Sequence, residues 1–133
     1  MSQLRRMVGG LLVAGAALAA AAAVARPAAP VSSRPALSEG EVLELDLAFY
    51  RRRLQRDSLS ARDEGELARL LLQRGRLLAS EPDLREAERH ARRSLRLRTA
   101  HNGATAQVLA GALMARHAFA EAREVAERMV AAA

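Results

Sequence analysis

The chain has 133 residues and a formal net charge of +6, with 15 acidic residues against 21 basic residues that are all arginine. The absence of cysteine excludes disulfides, thiol catalysis, thiolate metal sites and the lipidated cysteine of a bacterial lipoprotein. Only Phe49, Tyr50 and Phe119 are aromatic, so a core of alanine and leucine buries little area per residue. We therefore expect one small domain of modest stability.

The first 25 residues have the pattern of an export segment. Arg5 and Arg6 precede an uncharged run over residues 7–25, and such a positive start stays on the cytoplasmic side while the apolar run enters the bilayer. The stretch Ala23-Val24-Ala25 fits the small-x-small rule for signal peptidase. The run is also long enough, at about 1.5 Å per residue, for an uncleaved single-pass anchor. Both alternatives place the remainder outside the cytoplasm, either periplasmic or secreted after cleavage near Ala25, or tethered to the inner membrane.

Residues 26–37 are predicted to be a linker. This stretch contains Pro27, Pro30 and Pro35 together with two serines. Proline fixes φ and lacks an N–H donor, so a helix is not expected here. The sequence therefore separates the export segment from a domain that begins at residue 38.

The domain over residues 38–133 is predicted to be all-α. Ser38 and Glu41 form a capping-box pattern at the start of the first helix. Its apolar stripe consists of Leu43, Leu47, Tyr50 and Leu54, widened by Leu45 and Phe49. No segment alternates with period two for more than a few residues, which argues against a sheet. The expected helices cover about 39–56, 63–79, 84–96, 104–116 and 120–132.

Two stretches of the domain are versions of one helix. Leu84–Leu95 overlays Phe119–Val130, with Ala87 on Ala122 and Ala91 on Ala126. The preceding segments repeat as well, and Arg74 mirrors Arg116. The matched positions recur every 35 to 42 residues. A helix pair at this period is typical of a solenoid, in which each unit buries its apolar face against its neighbours.

The repeated positions resemble the tetratricopeptide family, whose unit is a helix-turn-helix of about 34 residues. The later copy matches at Leu109-Ala110, Leu113, Phe119-Ala-Glu-Ala122 and Ala126, and the earlier copy matches at Leu67-Ala68, Leu71, Leu84, Ala87 and Ala91. The resemblance covers about residues 40–133 and implies an antiparallel helix-turn-helix solenoid. The chain departs from the motif where Glu64 and Ala106 replace its tryptophan and where Ser58 and Thr99 replace its closing proline. An unrelated small helical bundle is the alternative.

In the tetratricopeptide family the first helix of each unit lines a concave groove. By this resemblance the candidate partner-binding residues are Arg62, Arg69, Gln73, Gln107, Gly111 and Met114. A groove of arginine and glutamine would favour an extended, somewhat acidic peptide. The resemblance thus implies a protein-protein interaction module that acts as a scaffold or adaptor.

No catalytic, metal or cofactor site is expected. His90, His101 and His117 lack the spacing of metal ligands, so we interpret them as solvent-exposed or satisfied at helix ends. No nucleophile motif or glycine-rich phosphate loop is found. Carboxylates such as Glu86 and Glu121 alternate with arginine along the helices, which predicts ordinary surface pairing. The chain is therefore not expected to be an enzyme.

The arginines raise the question of anionic partners. Five of them cluster around the third predicted helix, namely Arg89, Arg92, Arg93, Arg96 and Arg98. Nucleic acid is disfavoured because no aromatic residues interleave with the cluster and because the chain is predicted to be exported. Contact with an anionic membrane surface fits better. The alternative function is a structural subunit that completes a homo-oligomer or envelope complex through its uncapped last helix.

Overall fold

The computed structural model describes residues 36–132, so the interpretations of residues 1–25 and of most of the linker lie outside the described residues. Within this range the chain forms five α-helices and no strand, which confirms the all-α prediction there. None of these helices combines the length and apolarity that crossing a membrane requires. The helices are α1 (Glu39–Arg56), α2 (Ala61–Leu77), α3 (Glu81–Leu97), α4 (Gly103–Ala115) and α5 (Phe119–Ala131).

The predicted capping box at the start of α1 is confirmed. The Ser38 hydroxyl accepts a hydrogen bond from the Glu41 backbone N–H at 3.3 Å, and the Glu41 carboxylate accepts one from the Ser38 backbone N–H at 2.8 Å. Both exchanges satisfy donors that a helix start otherwise leaves free. The hydrogen bond from the Ser38 backbone, followed by that from its side chain, lowers the pKa of Glu41.

Serine caps also set the starts of α2 and α3, which begin earlier than the sequence indicates. Ser60 and Ser80 accept hydrogen bonds from the backbone N–H groups of Asp63 and Asp83. Pro82 lies in the first turn of α3, where the N–H that proline lacks has no helical partner. Residues 80–83, which were expected to break the chain before the third helix, therefore form the N-cap and the first turn of α3.

Consecutive helices run antiparallel, whereas α2 and α4 run parallel. Arg53, near the end of α1, pairs with Asp63 at the start of α2, and Glu44 pairs with Arg74 near the end of α2. Between α2 and α4 the order is preserved, because Gly65 lies against Thr105 and Arg76 reaches Gly111. Helix α2 thus contacts α1, α3 and α4.

The core is a leucine and alanine seam along these contacts. The residues expected at its centre, Leu71, Ala87, Leu113 and Ala122, are all buried. One cluster joins α1, α2 and α3 with Ala112 of α4, and a second joins α4 and α5 to α2 and α3. In helices that pack between two other helices, the buried apolar residues are those that the apolar periodicity of the sequence predicts.

The overlaid positions of α3 and α5 differ in burial at three places. Ala126 is exposed although its counterpart Ala91 is fully buried, and Phe119 and Val130 are 60% and 79% exposed. The backbone of α3 packs against both α2 and α4, whereas among the described helices the backbone of α5 packs against α4 alone and α5 reaches α3 only through side chains. For a similar reason α1, whose backbone packs against α2 alone among the described helices, exposes Leu45 and Phe49.

Candidate functional site

Helices α2 and α4 border a cleft of about 430 Å³, here called the α2–α4 cleft. Its floor includes Leu72 from α2 and Val108 and Gly111 from α4. The loop between α3 and α4 closes one end with His101 and Asn102. The cleft follows from the parallel packing of two non-consecutive helices, since a groove runs between their exposed edges.

Glycines set how closely α2 and α4 approach beneath this cleft. A Cβ atom at Gly65 would lie 2.6 Å from Thr105 Oγ1, and one at Gly111 would lie 3.1 Å from Leu72 Cδ2. Arg76 lies across the same place, because its Nη2 donates a long hydrogen bond of 3.4 Å to the Gly111 carbonyl. Side chains of the neighbouring helix therefore pack directly against the backbone at these two glycines.

The rim of the cleft is strongly cationic. Arg62, Arg69 and Arg76 recur every seven residues along α2, and Arg98 adds a fourth guanidinium from the end of α3. Among the described residues the one carboxylate lining the cleft is Glu66, which accepts a hydrogen bond from Arg69 Nε at 3.0 Å. Both partners of this pair are well exposed, so its contribution to stability is small.

The other cleft arginines differ from most arginines in this part of the chain. Within residues 36–132, Arg62, Arg76 and Arg98 form no ion pair, whereas Arg92 and Arg116 bind carboxylates of other helical segments. Arg76 and Arg98 each donate one hydrogen bond to a backbone carbonyl, of Gly111 and Ala100, and the charge of all three guanidinium groups is not neutralised by a carboxylate in this part of the chain. The cleft is thus a concave surface lined by positive charges that no carboxylate in the described part of the chain neutralises.

Ion pairs hold the helices that shape the cleft. Arg74 donates to both oxygens of Asp83 at 2.8 and 2.7 Å and to Glu44 at 3.0 Å, and so joins α1, α2 and α3. The hydrogen bonds from Arg74 hold the pKa of Asp83 below its usual value, against the effect of burial. The mirrored Arg116 binds Glu81 and Glu88 of α3. Hydrogen bonds from Arg116 and then Arg85 lower the pKa of Glu81.

A histidine that the sequence suggested was exposed is a partly buried partner of a buried carboxylate. His90 lies in the middle of α3, where its Nδ1 is 2.5 Å from Glu64 Oε2. Arg93 Nε also binds Glu64 at 2.8 Å. The expectation that His90 is exposed or satisfied at a helix end is therefore wrong. Glu121 likewise bonds across helices to Arg92 instead of along α5.

A buried polar cluster lies behind the cleft floor, where α2, α3 and α4 meet. Ser94 is fully buried, and its hydroxyl donates to the Ala61 carbonyl at 2.7 Å. The Asn102 side chain donates to the same hydroxyl at 3.1 Å, and Thr105 Oγ1 lies 3.4 Å away. These contacts satisfy buried groups that would otherwise be costly, and they fix the loop that closes the cleft.

Four of the six candidate partner-binding residues line the cleft: Arg62, Arg69, Gln107 and Gly111. Gln73 lies instead in a shallower groove beside α1, together with Arg69 and Asp46. Met114 is 56% exposed and does not border the cleft. The sequence analysis missed Arg76, which the seven-residue spacing could have revealed, and Arg98, which belongs to a loop.

This arrangement has the charge and the hydrogen-bond donors to bind an anionic ligand along α2. Within residues 36–132 no group of three or more potential metal ligands comes together. The cleft offers guanidinium donors, an amide from Gln107 and an apolar floor. Such a set suits electrostatic and hydrogen-bonded recognition. No protein family, curated protein or solved structure matches the chain.

Proposed function

We propose that this chain is a tetratricopeptide-like interaction module whose α2–α4 cleft binds an extended, acidic segment of a partner protein. The observation that carries the proposal is the set of four arginines around a concave surface with a single carboxylate, Glu66, among its lining residues. Three of the four have no ion pair in the described part of the chain. A negatively charged peptide would provide the missing partners.

The helix arrangement supports the tetratricopeptide-like part of the proposal. Helices α2 and α4, the first helices of the two repeated units, run parallel and border the cleft. Glu64, at the position of the motif's tryptophan, is buried with His90 and Arg93. A paired charge network thus occupies a place where the family has an aromatic side chain.

A protein segment is a better ligand than nucleic acid or a membrane surface. Phe, Tyr and Trp are absent from the residues lining the cleft, so bases would find no aromatic stacking platform. A concave cleft also cannot meet a planar bilayer along its length. The apolar floor of Leu72 and Val108, in contrast, suits short side chains of an extended peptide.

The proposed location is outside the cytoplasm, with no catalytic role. The basic start and uncharged run of residues 1–25 support export, either by cleavage near Ala25 or as a single-pass anchor. The proline-containing linker at 26–37 would separate the domain from a membrane. Partners would then be proteins of the cell envelope.

Charge reversal in the native envelope tests the proposal. The full-length chain would be cross-linked in cells, and captured proteins identified by mass spectrometry, for Arg69→Glu and for the control Arg123→Glu. Both arginines form exposed pairs with a carboxylate of their own helix, but Arg123 lies on α5, away from the cleft. We expect Arg69→Glu to lose the partner and Arg123→Glu to keep it. A partner retained equally by both variants would contradict the proposal.

A second candidate function is that of a structural subunit that self-associates through α5. Its supporting observation is the exposure of Phe119 and Val130 on a helix whose backbone packs against α4 alone among the described helices. Light scattering of the full-length chain and of Val130→Glu tests this. An oligomer that dissociates in Val130→Glu would support it, and a wild-type monomer at high concentration would rule it out.

A further inference from the structure

We infer that the α2–α4 cleft selects a ligand in the polyproline II conformation that carries a carboxylate at every third residue. This inference rests on the proposed function, because it specifies the register of the acidic segment. The feature that carries it is the row of Arg62, Arg69 and Arg76, here called the arginine row.

The arginine row has a defined spacing. Seven residues of α-helix rise about 10.5 Å, at about 1.5 Å per residue, so the row spans about 21 Å. After seven residues the direction of a side chain has drifted by only about 20°. All three residues line the cleft, which agrees with a shared face. The row therefore presents positive charge at about 10 Å intervals along one edge.

Polyproline II matches these intervals better than a β-strand. A polyproline II chain has 3 residues per turn and rises about 3.1 Å per residue, so every third side chain points the same way after about 9.3 Å. A β-strand repeats its direction after two residues, or about 6.7 Å, and would place two of every three carboxylates between the arginines. The remaining difference of about 1 Å per interval lies within the reach of a flexible arginine side chain.

The floor of the cleft and its α4 side suit the residues between successive carboxylates of the ligand. Leu72 of α2 and Val108 of α4 form an apolar floor on which small side chains or proline rings can rest. A polyproline II backbone has no internal hydrogen bonds, so its carbonyl groups remain available to the Gln107 amide on α4. The cleft thus combines the guanidinium charge of α2 with an apolar floor and the amide of Gln107.

Glu66 acts as an internal competitor at the middle of the arginine row. Its pair with Arg69 joins residues three apart on the same helix, and both side chains are substantially exposed. Such a pair is weak and can be replaced by a ligand carboxylate at little cost. Neutralising Glu66 should therefore strengthen binding, because the ligand no longer competes with it.

Peptides that differ only in order test the inference. Fluorescence anisotropy would compare dye-labelled nine-residue peptides containing three Glu, three Pro and three Ala, binding to the full-length chain. Glu would occupy every third position, every second position or three contiguous positions. We expect the first peptide to bind about fivefold or more tightly than the others, and all binding to weaken as salt shortens the screening length.

Variants identify the residues responsible. Arg62→Gln, Arg69→Gln and Arg76→Gln should each weaken the period-three peptide about twofold to fivefold, as expected for solvated ion pairs. Glu66→Gln should strengthen it by a similar factor. The matched control is Arg96→Gln, because Arg96 is exposed, forms no ion pair within residues 36–132 and lies outside the cleft.

The outcomes separate the register from the function. Equal affinity for the three peptides, with loss in the arginine-row variants, would overturn the register and leave the proposed function in place. Binding no stronger than that of a Gln-substituted peptide would overturn both. Tighter binding of a single-stranded oligonucleotide or of anionic vesicles, lost in the same variants, would also overturn both and would identify a different class of ligand.

Discussion

Gly65→Ala should destabilise the domain, although alanine is normally the better residue inside a helix. Gly65 lies in the interior of α2, where exchange to alanine would usually stabilise by about 1 kcal/mol. Here the new Cβ would lie 2.6 Å from Thr105 Oγ1 and 3.3 Å from Ser94 Oγ. The close approach of α2 to the polar cluster therefore opposes the gain in helix propensity.

The magnitude follows from what can move. Ser94 is fully buried and bonded to the Ala61 carbonyl, and Thr105 is buried on α4, so neither oxygen can withdraw freely. Forcing extra atoms into such a site costs about 1–3 kcal/mol. Because neither oxygen can withdraw, the cost lies in the upper part of this range, about 2–3 kcal/mol, and after a gain of about 1 kcal/mol in helix propensity the net loss is about 1–2 kcal/mol. For a domain of this size, each kcal/mol lowers the melting temperature by about 4–8 °C.

Chemical and thermal unfolding followed by circular dichroism measure this effect. Gly40→Ala is the control, because a Cβ there meets nothing within 4 Å, and it should leave stability unchanged or raise it by up to about 1 kcal/mol. In a double-mutant cycle, Thr105→Ala should rescue Gly65→Ala by about 0.5–3 kcal/mol, since the clashing oxygen is removed. A Gly65→Ala variant as stable as wild type, or strictly additive with Thr105→Ala, would refute the reasoning.

Three further predictions concern buried polar groups. In a urea titration, Arg74→Ala should lower the free energy of unfolding by about 3 kcal/mol, because it leaves Asp83 largely buried and unpaired. The control Arg128→Ala should lower it by less than about 0.5 kcal/mol, because Arg128 forms an exposed ion pair. Asp83 has a lowered pKa when folded, so its stabilising effect is present above its unfolded pKa of about 3.9 and is lost as pH falls through the lowered value. Urea titrations between about pH 5 and 2 should therefore show a flatter pH dependence for Arg74→Ala, and an unchanged slope would contradict this. Ser94→Ala should cost about 1–3 kcal/mol by calorimetry, since it removes a buried hydroxyl that donates to the Ala61 carbonyl and accepts from the Asn102 side chain, and an unchanged stability would contradict this.

The sequence predicted the helices because their signals are local. The capping box at Ser38 and Glu41 needs only four consecutive residues, and the apolar stripe that buries Leu43 and Leu47 needs only the helical period. The duplicated positions gave Leu71 and its equivalent Leu113 as core. The start of α3 was less well predicted, because a proline in a first turn and a proline in a break look alike in sequence.

Contacts between helices were not predicted, because they depend on register. His90 binds Glu64, and Arg74 binds Asp83, across a hairpin whose turn lies near residue 79. Arg74 and Asp83 lie five and four residues from this turn, and Glu64 and His90 lie three to four helical turns from it. This approximate symmetry follows from antiparallel packing and could have been used once the turn was placed. The exposure of Ala126 required knowing that the backbone of α5 packs against one described helix, which the sequence of α5 does not encode.

The candidate site was predicted in part. Reasoning by resemblance placed Arg62, Arg69, Gln107 and Gly111 on one surface, and all four line the cleft. It could not find Arg98, because a loop residue reaches the cleft only through the fold of the turn after α3. Whether a ligand occupies the surface is a separate question, which the binding experiments address.

Among the described helices, the backbone of α2 packs against three others, whereas the backbones of α1 and α5 each pack against one, and this inequality has a consequence for dynamics. In an array with nearest-neighbour contacts, opening begins where the fewest contacts must break. Amide hydrogens of α1 and α5 should exchange with solvent faster than those of α2 and α3, and uniform protection measured by mass spectrometry would contradict this. The α2–α4 cleft would then persist while either outer helix transiently detaches, so the surface and its shape belong to the most durable part of the fold.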